Sequence, residues 1–238
     1  ARTYVGNAEY ILKWREVQPD DTVINLVYLD GPITRNGMCN YGSREIRDIM
    51  EFCSKQPQCI GHLIIIDSPG GSTAAIPDFE MAFAYARNAK QPLVGLIDGF
   101  CASAALWAGL GLDELYFMHP ENEIGSVGVY GSYFDMKDGT KNMVTKETYH
   151  EVYASQSIDK NNRVREMRKG NSKPLQDDLD KCAEKFMNFV KERRPNTPDE
   201  WLHGIVVECK DTVGIWTNGQ ATEDDCLQRI INLYNNNH

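Results

Sequence analysis

The chain has 238 residues, of which 42% are hydrophobic and 25% are charged, and its formal net charge is -9. This length and apolar content suffice for one substantial core, so we expect a single domain over 1–238, with an α/β core at 22–160 and a helical part at 174–238. The negative charge argues against nucleic acid as a partner, because lysine and arginine supply most of that affinity. No long uninterrupted apolar run occurs, which predicts no membrane span in this chain.

The cysteine and histidine residues indicate which cellular compartment to expect and whether a metal or cofactor is expected. The seven cysteines are an odd number without the spacing of a small disulfide-bonded scaffold, so reduced thiols in a cytoplasm-like compartment are expected. The five histidines are scattered, and neither an HExxH nor a CxxC pattern occurs, which predicts no metal and no cofactor. The chain is therefore expected to be cytoplasmic, unless a targeting segment has been trimmed from it.

Short apolar runs alternate with helical patterns in the first half of the chain, which predicts a mainly parallel sheet flanked by helices. In chain order we predict a strand at 22–28, a helix from Ser43, strands at 63–66 and 92–97 with a helix at 75–87 between them, a helix opening at 101–105, and strands at 114–118 and 126–134. Four consecutive aliphatic residues at 63–66 indicate a strand covered on both faces. The order is consistent with repeated ββα units.

Helical patterns dominate the second half of the chain. Residues 174–194 carry apolar side chains on one side of a predicted helix, a stripe that packs in the core or against another subunit, with core packing favoured. A last helix is predicted over 221–234, and its polar tail is expected to fray. The basic stretch 163–173 is predicted to be a solvated loop, because like charges repel.

Two loops after successive predicted strands carry groups that acyl transfer requires, a nucleophile and donors for the oxygen that becomes negative. In the loop Ser68 to Gly71, the glycines let backbone N–H groups approach a ligand, so Gly70 and Gly71 are candidate oxyanion donors. Ser103 lies between two alanines, which leave its hydroxyl accessible. Each loop alone is more often a plain turn or a helix cap. Together, at the carboxyl edge of one sheet, they predict an active site.

Three segments carry a resemblance to a known family. The sequences IIIDSPGGS, KQPLVGLIDGFCASAALWAGLGLDELYFMHPENEIGSVGV and GIWTNGQATEDDCLQRIINL resemble the signal peptide peptidase A family, including its bacteriophage head-maturation relatives. The resemblance covers residues 22–234. It implies a ClpP/crotonase-like fold, an extended polypeptide substrate, a serine-lysine dyad and assembly into homo-oligomeric rings or domes.

The resemblance also assigns roles to particular residues. It makes Ser103 the nucleophile and Gly71, with its neighbour Gly70, the oxyanion donor. It places the base in the segment VYASQSIDKNN, which favours Lys160, while Lys169 and Lys146 remain alternatives. A lysine accepts a proton near neutral pH only when burial lowers its pKa from about 10.4 to roughly 7–8, so a dry pocket is expected around the base.

Other interpretations stay open beside a serine endopeptidase of the signal-peptide or capsid-maturation kind. A ClpP-type serine-histidine site would use His119, which follows a predicted strand. The fold also suits an acyl-CoA hydratase or isomerase, or a catalytically silent homologue. For substrate binding, we expect an extended peptide to pair beside a strand of low side-chain bulk. The residues of that strand are Gly125, Ser126, Val127 and Gly128.

Overall fold

The structure is a computed structural model that describes residues 2–5, 17–37, 40–132 and 139–237. The chain divides into two compact units. The first unit comprises Ala1–Gly128 with Phe186–His238, and the second comprises Val129–Lys185. The division expected from sequence, at 22–160 and 174–238, stays a prediction.

The first unit is built on one sheet. Its described strands are β1 (Arg2–Val5), β2 (Val23–Asp30), β3 (Cys59–Ser68), β4 (Leu93–Ala102), β5 (Glu114–Phe117), β6 (Glu123–Gly125), β7 (Val206–Glu208) and β8 (Gly219–Gln220). Strands β1, β2, β3, β4, β5 and β8 lie side by side in that order, and each neighbouring pair is parallel. Strand β6 pairs in parallel with the end of β4, and β7 pairs with β6 in the antiparallel direction.

Helices flank both faces of this sheet. The described helices are α1 (Ser43–Ser54), α2 (Ile76–Asn88), α3 (Ala104–Leu110), α4 (Asn162–Arg168), α5 (Lys173–Arg193) and α6 (Glu223–Asn237). Side chains of α1, α2 and α3 pack on one face, around Ile64 and Ile66 of β3, whereas α6 packs on the other face through Cys226 and Ile230. Every residue of β3 except Asp67 is buried, as its run of aliphatic residues predicts. The expected α/β fold with a mainly parallel, helix-flanked sheet is confirmed, and the repeated ββα unit is not.

Two strands differ from the sequence prediction for backbone reasons. Strand β4 continues through Asp98-Gly99 to Ala102 instead of ending at 97, because Gly99 adopts a φ of +141° and the pairing with β3 shifts register there. Strand β6 ends at Gly125 and does not extend from 126 onward. Ser126 has a φ of +58°, which an extended strand cannot accommodate, and the end of the predicted strand at 133–134 lies outside the described residues.

The second unit contains α4, the first part of α5 and a polar cluster around Glu151. The Glu151 carboxylate accepts hydrogen bonds from Arg168 Nη1 at 2.7 Å, Tyr149 Oη at 2.5 Å and Tyr153 Oη at 2.8 Å. These donors, Arg168 first, lower the pKa of Glu151 to about 2. Residues 163–168 of the basic stretch predicted as a loop are thus helical in α4, and ion pairs of Arg168 with Glu151 and of Lys169 with Glu166 offset the repulsion between its charges.

A buried polar cluster on β3 holds His62 in its neutral form. The ring is fully buried, and Nδ1 accepts a hydrogen bond from Asn25 Nδ2 at 2.9 Å. With that tautomer, Nε2 donates to Gln91 Oε1 at 2.9 Å, and the Gln91 amide donates to the Cys59 carbonyl at 2.7 Å. Both ring nitrogens are therefore satisfied without a charge, and burial lowers the pKa of His62 to about 4.

Because His62 is buried in its neutral form, we expect the protein to lose stability in acid. The unfolded chain, with a histidine pKa of 6.5, binds the proton more readily than the folded chain between pH 6.5 and about 4. The contribution of neutral His62 to the free energy of unfolding is complete above pH 6.5, and about 3 kcal/mol of this free energy is lost by pH 4. Urea denaturation at both pH values measures the effect, and His62→Gln is the control. Equal pH dependence in the wild type and the variant would contradict the prediction.

Candidate active site

Ser103 occupies a sharp turn between a strand and a helix. It is the single residue between the end of β4 at Ala102 and the start of α3 at Ala104. Its φ of 54° and ψ of -121° belong to a region of the backbone map that favours glycine, at a cost of about 1–3 kcal/mol for other residues. Two hydrogen bonds hold this conformation, from the Ser103 N–H to the Gly125 carbonyl at 2.9 Å and from the Trp107 N–H to the Ser103 carbonyl at 3.0 Å.

The turn exposes the serine side chain while its surroundings stay buried. Ser103 is half-buried, whereas Cys101, Ala102 and Ala104 on either side of it are buried. Its hydroxyl has no hydrogen-bond partner among the residues that the structure describes. A strained strand-to-helix turn of this kind presents a nucleophile at the edge of the sheet. The Ser103 hydroxyl is therefore accessible to an incoming carbonyl group.

The glycine loop packs directly against this turn. A Cβ placed on Gly70 would lie 2.7 Å from the Ser103 Cβ, 2.6 Å from the Ala102 carbonyl oxygen and 2.8 Å from the Ala104 nitrogen. These distances are too short for any side chain, and the φ of Gly70 is +91°. Only glycine therefore fits at this position. The structure brings together the two loops that the sequence singled out.

The two glycines differ in what their N–H groups do. The Gly70 N–H donates to Ser68 Oγ at 3.1 Å, and that hydroxyl donates to the Gly31 carbonyl at 2.6 Å. The Gly70 donor is thus occupied within the loop. The N–H of Gly71, which is an exposed residue, has no acceptor in the described part of the chain. Of the two predicted oxyanion donors, Gly71 is the one with a free N–H group.

A second free donor was missed in the sequence. Ala104 is the first residue of α3, so its N–H lacks an intrahelical acceptor, and no other described residue supplies one. Its nitrogen lies in the contact region between Gly70 and the Ser103 turn. The position of Ala104 directly after Ser103 could have indicated this donor, because the residue that follows a nucleophile at the start of a helix presents an unpaired N–H group.

The predicted peptide-binding segment is only partly open. Gly125 already pairs with Ala102 of β4 and with Val206 of β7. The Ser126 N–H donates to the Ile205 carbonyl at 2.6 Å. Val127 is buried, and nothing lies within 4 Å of the position of a Cβ on Gly128. Of these four residues, Gly128 is therefore the one with open space beside its Cα, three residues after the predicted segment starts.

The three candidate lysines all lie in the second unit. Lys169 Nζ forms an ion pair with Glu166 at 2.8 Å, and Lys146 Nζ donates to the Met143 carbonyl at 2.6 Å. Lys160 is exposed in a turn closed by its own N–H, which donates to the Ser157 carbonyl at 3.1 Å. Its ammonium has no partner among the described residues. Lys160 is thus the candidate with an uncommitted amine.

His119 has the position but not the partners of a catalytic base. His119 follows β5 and is exposed. Its backbone N–H donates a hydrogen bond to Asn122 Oδ1 at 2.8 Å. Within the described ranges the ring makes no hydrogen bond to Ser103 or to a carboxylate. A serine-histidine site requires a third group that orients the imidazole. His119 lacks such a group here.

Cys101 is not a rival nucleophile although it lies two residues from Ser103. Its side chain is fully buried, and burial raises the pKa of its thiol well above the usual value. Since the thiolate is the reactive form, this cysteine is inert.

Across the described ranges, no group of three metal-ligating side chains is placed to hold a metal ion. No helix in those ranges has the length and apolar character needed to cross a membrane.

Comparison with known proteins identifies solved structures of similar fold. No protein-family model and no curated protein matches this sequence. In structure, the chain is similar to the 1510-N membrane-bound stomatin-specific protease, solved as a lysine-to-alanine mutant in complex with a substrate peptide. The match has a TM-score of 0.53 and 12% sequence identity, and it covers 88% of this chain and 80% of that chain. At this identity the likeness establishes the fold alone, an α/β architecture with a mainly parallel sheet flanked by helices.

Proposed function

We propose that this chain is a serine peptidase of the signal peptide peptidase A type, which cleaves extended polypeptides through an acyl-enzyme on Ser103. The observation that carries this proposal is the half-buried serine in a strained strand-to-helix turn, packed against Gly70. The structural neighbour is itself a protease bound to a peptide. Its fold and the local geometry of this chain therefore point to the same chemistry.

The proposed reaction uses three kinds of group. The Ser103 Oγ attacks the carbonyl carbon of the scissile bond, while an amine accepts the hydroxyl proton. The carbonyl oxygen becomes negative and accepts hydrogen bonds from the N–H groups of Gly71 and Ala104, each worth about 2.7–4 kcal/mol. The protonated amine then donates its proton to the departing peptide nitrogen. Water, deprotonated by the same amine, hydrolyses the acyl-enzyme and restores Ser103.

Lys160 is our proposed base, because Lys169 and Lys146 are already bound by other groups. The side chain of Lys160 is exposed in the single chain. A lysine base must lose water to become a proton acceptor at neutral pH. We therefore expect the bound substrate, or a second copy of the chain in a homo-oligomer, to cover this residue.

The substrate is proposed to be an unfolded or extended polypeptide. The space beside the Cα of Gly128 is open, so no side chain blocks the approach of a peptide at this residue. A peptide that adds as a strand gains main-chain hydrogen bonds without a particular sequence. This mode of binding suits a peptidase that acts on varied chains and needs no cofactor.

Covalent labelling tests the proposal directly. A fluorophosphonate probe reacts only with an activated serine, so we expect one adduct per chain, located on Ser103 by peptide mass spectrometry. Urea-denatured protein is the control and should not react. An acyl-CoA hydratase or a catalytically silent homologue would leave the folded protein unlabelled, and an adduct on any other residue would also reject the proposal.

A further inference from the structure

The loop between β2 and α1 reaches the candidate oxyanion site through Ile33. The Ile33 N–H donates to the Gly70 carbonyl at 2.8 Å, and the Ser72 N–H donates to the Ile33 carbonyl at 2.9 Å. These two bonds bracket Gly71, which forms an isolated parallel bridge with Ile33. A Cβ on Gly71 would collide with the Ile33 carbonyl, so the close approach requires glycine.

The bond from Ile33 fixes the direction of the free donor. The Gly70 carbonyl and the Gly71 N–H belong to one peptide group, which is planar and trans. In a trans peptide the two bonds point in opposite directions. Because the Gly70 carbonyl is held toward Ile33, the Gly71 N–H must point away from Ile33. The position of Ile33 therefore sets the aim of the proposed oxyanion donor.

A buried carboxylate anchors the loop that carries Ile33. Asp78 in the first turn of α2 is 2% exposed. Its Oδ2 accepts hydrogen bonds from Ser43 Oγ at 2.8 Å and Arg35 Nε at 3.3 Å, and its Oδ1 accepts one from Arg47 Nη1 at 2.8 Å. Arg35 lies two residues after Ile33, while Ser43 and Arg47 belong to α1. Asp78 thus ties the loop, α1 and the helix that follows Gly71 to one point.

The carboxylate is charged in the folded protein. Burial acts to raise the pKa of Asp78, but the hydrogen bonds from Ser43 and Arg35, together with the Arg47 charge, hold that pKa below its usual value. A buried carboxylate with three donors keeps its geometry, because removing any partner leaves a polar group unsatisfied. The loop is also joined to α1 by the Ser43 N–H, which donates to the Thr34 carbonyl at 2.9 Å.

We infer that Asp78 is a positioning residue for the oxyanion site, acting through Arg35 and Ile33 on the direction of the Gly71 N–H. The inference rests on the proposed peptidase function. Asp78 itself does not touch the substrate. Its role is to keep the loop at a fixed distance from Gly70 and Gly71 while the negative oxygen forms.

Asp78→Asn tests this inference. Asparagine has the same shape but only one acceptor oxygen, so either Arg47 or the pair Ser43 and Arg35 loses its acceptor. With p-nitrophenyl acetate as substrate, we expect kcat to fall about 10-fold while KM changes less than about twofold. Arg35→Gln removes only the loop arm of the cluster, and we expect a smaller fall in kcat from it. If Asp78→Asn does not fold, Arg35→Gln still tests the inference.

A matched control separates positioning from stability. Glu114→Gln weakens a comparable partly buried pair, because Arg229 Nε donates to Glu114 Oε2 at 2.8 Å between α6 and β5. We expect this variant to lower the melting temperature and leave kcat unchanged. If Asp78→Asn and Arg35→Gln melt earlier but keep the wild-type kcat, the positioning role is wrong. If the wild type itself does not label at Ser103, the peptidase proposal fails instead, which is a separate outcome.

Discussion

Replacing Ser103 by alanine or by glycine is expected to lower kcat for p-nitrophenyl acetate by at least about 10⁴-fold, because neither residue has an oxygen that can attack. The two variants should differ in stability. Ser103 adopts a φ of 54° and a ψ of -121°, which glycine tolerates and alanine does not. Ser103→Gly is therefore expected to be more stable than Ser103→Ala by about 1 kcal/mol in urea denaturation.

The comparison of the two variants separates function from strain. Both lose the nucleophile and differ only by one methyl group, so a higher stability of the glycine variant reports relief of backbone strain. Esterase activity that survives in either variant would assign the reaction to another residue. A glycine variant that is no more stable than the alanine variant would mean that the Ser103 turn stores no strain, although the loss of activity would still identify the nucleophile.

Local patterns in the sequence were enough to predict the main elements and the meeting of two loops. The aliphatic run at 63–66 predicted a doubly covered strand, and β3 is buried on both faces. Gly70 and Ser103 were expected at one sheet edge, because parallel strands end on the same side. Their contact in the structure follows from that rule. The prediction needed only the strand order along the chain.

Contacts between distant residues could not be predicted in the same way. The occupation of the Gly70 N–H by Ser68 Oγ depends on a side-chain rotamer, which no sequence period encodes. Asp78 is an acidic residue in a first helical turn, a common feature that helix electrostatics explains without any partner. Two of its partners, Arg35 and Arg47, lie 43 and 31 residues away in sequence. Only the packing of α1 against α2 brings these charges together.

The identity of the base has the second largest expected effect. Lys160→Met removes the amine but keeps the length of the side chain, and we expect kcat to fall about 10³-fold, within the usual range for loss of a general base. The physical reason is that the Ser103 hydroxyl would then have no acceptor for its proton. Added methylamine should restore part of the activity of this variant, since a free amine can replace the missing one.

Three further variants define what would contradict this assignment. Lys169→Met and Lys146→Met break contacts within the second unit and are expected to keep kcat within about threefold, because neither amine is free in the folded chain. His119→Gln should also retain activity, since its imidazole has no acidic partner among the residues described. If Lys160→Met is active and His119→Gln is inactive, the base is His119 and the site is of the serine-histidine kind. Loss of activity in Lys169→Met alone would assign the role of the base to Lys169 instead of Lys160.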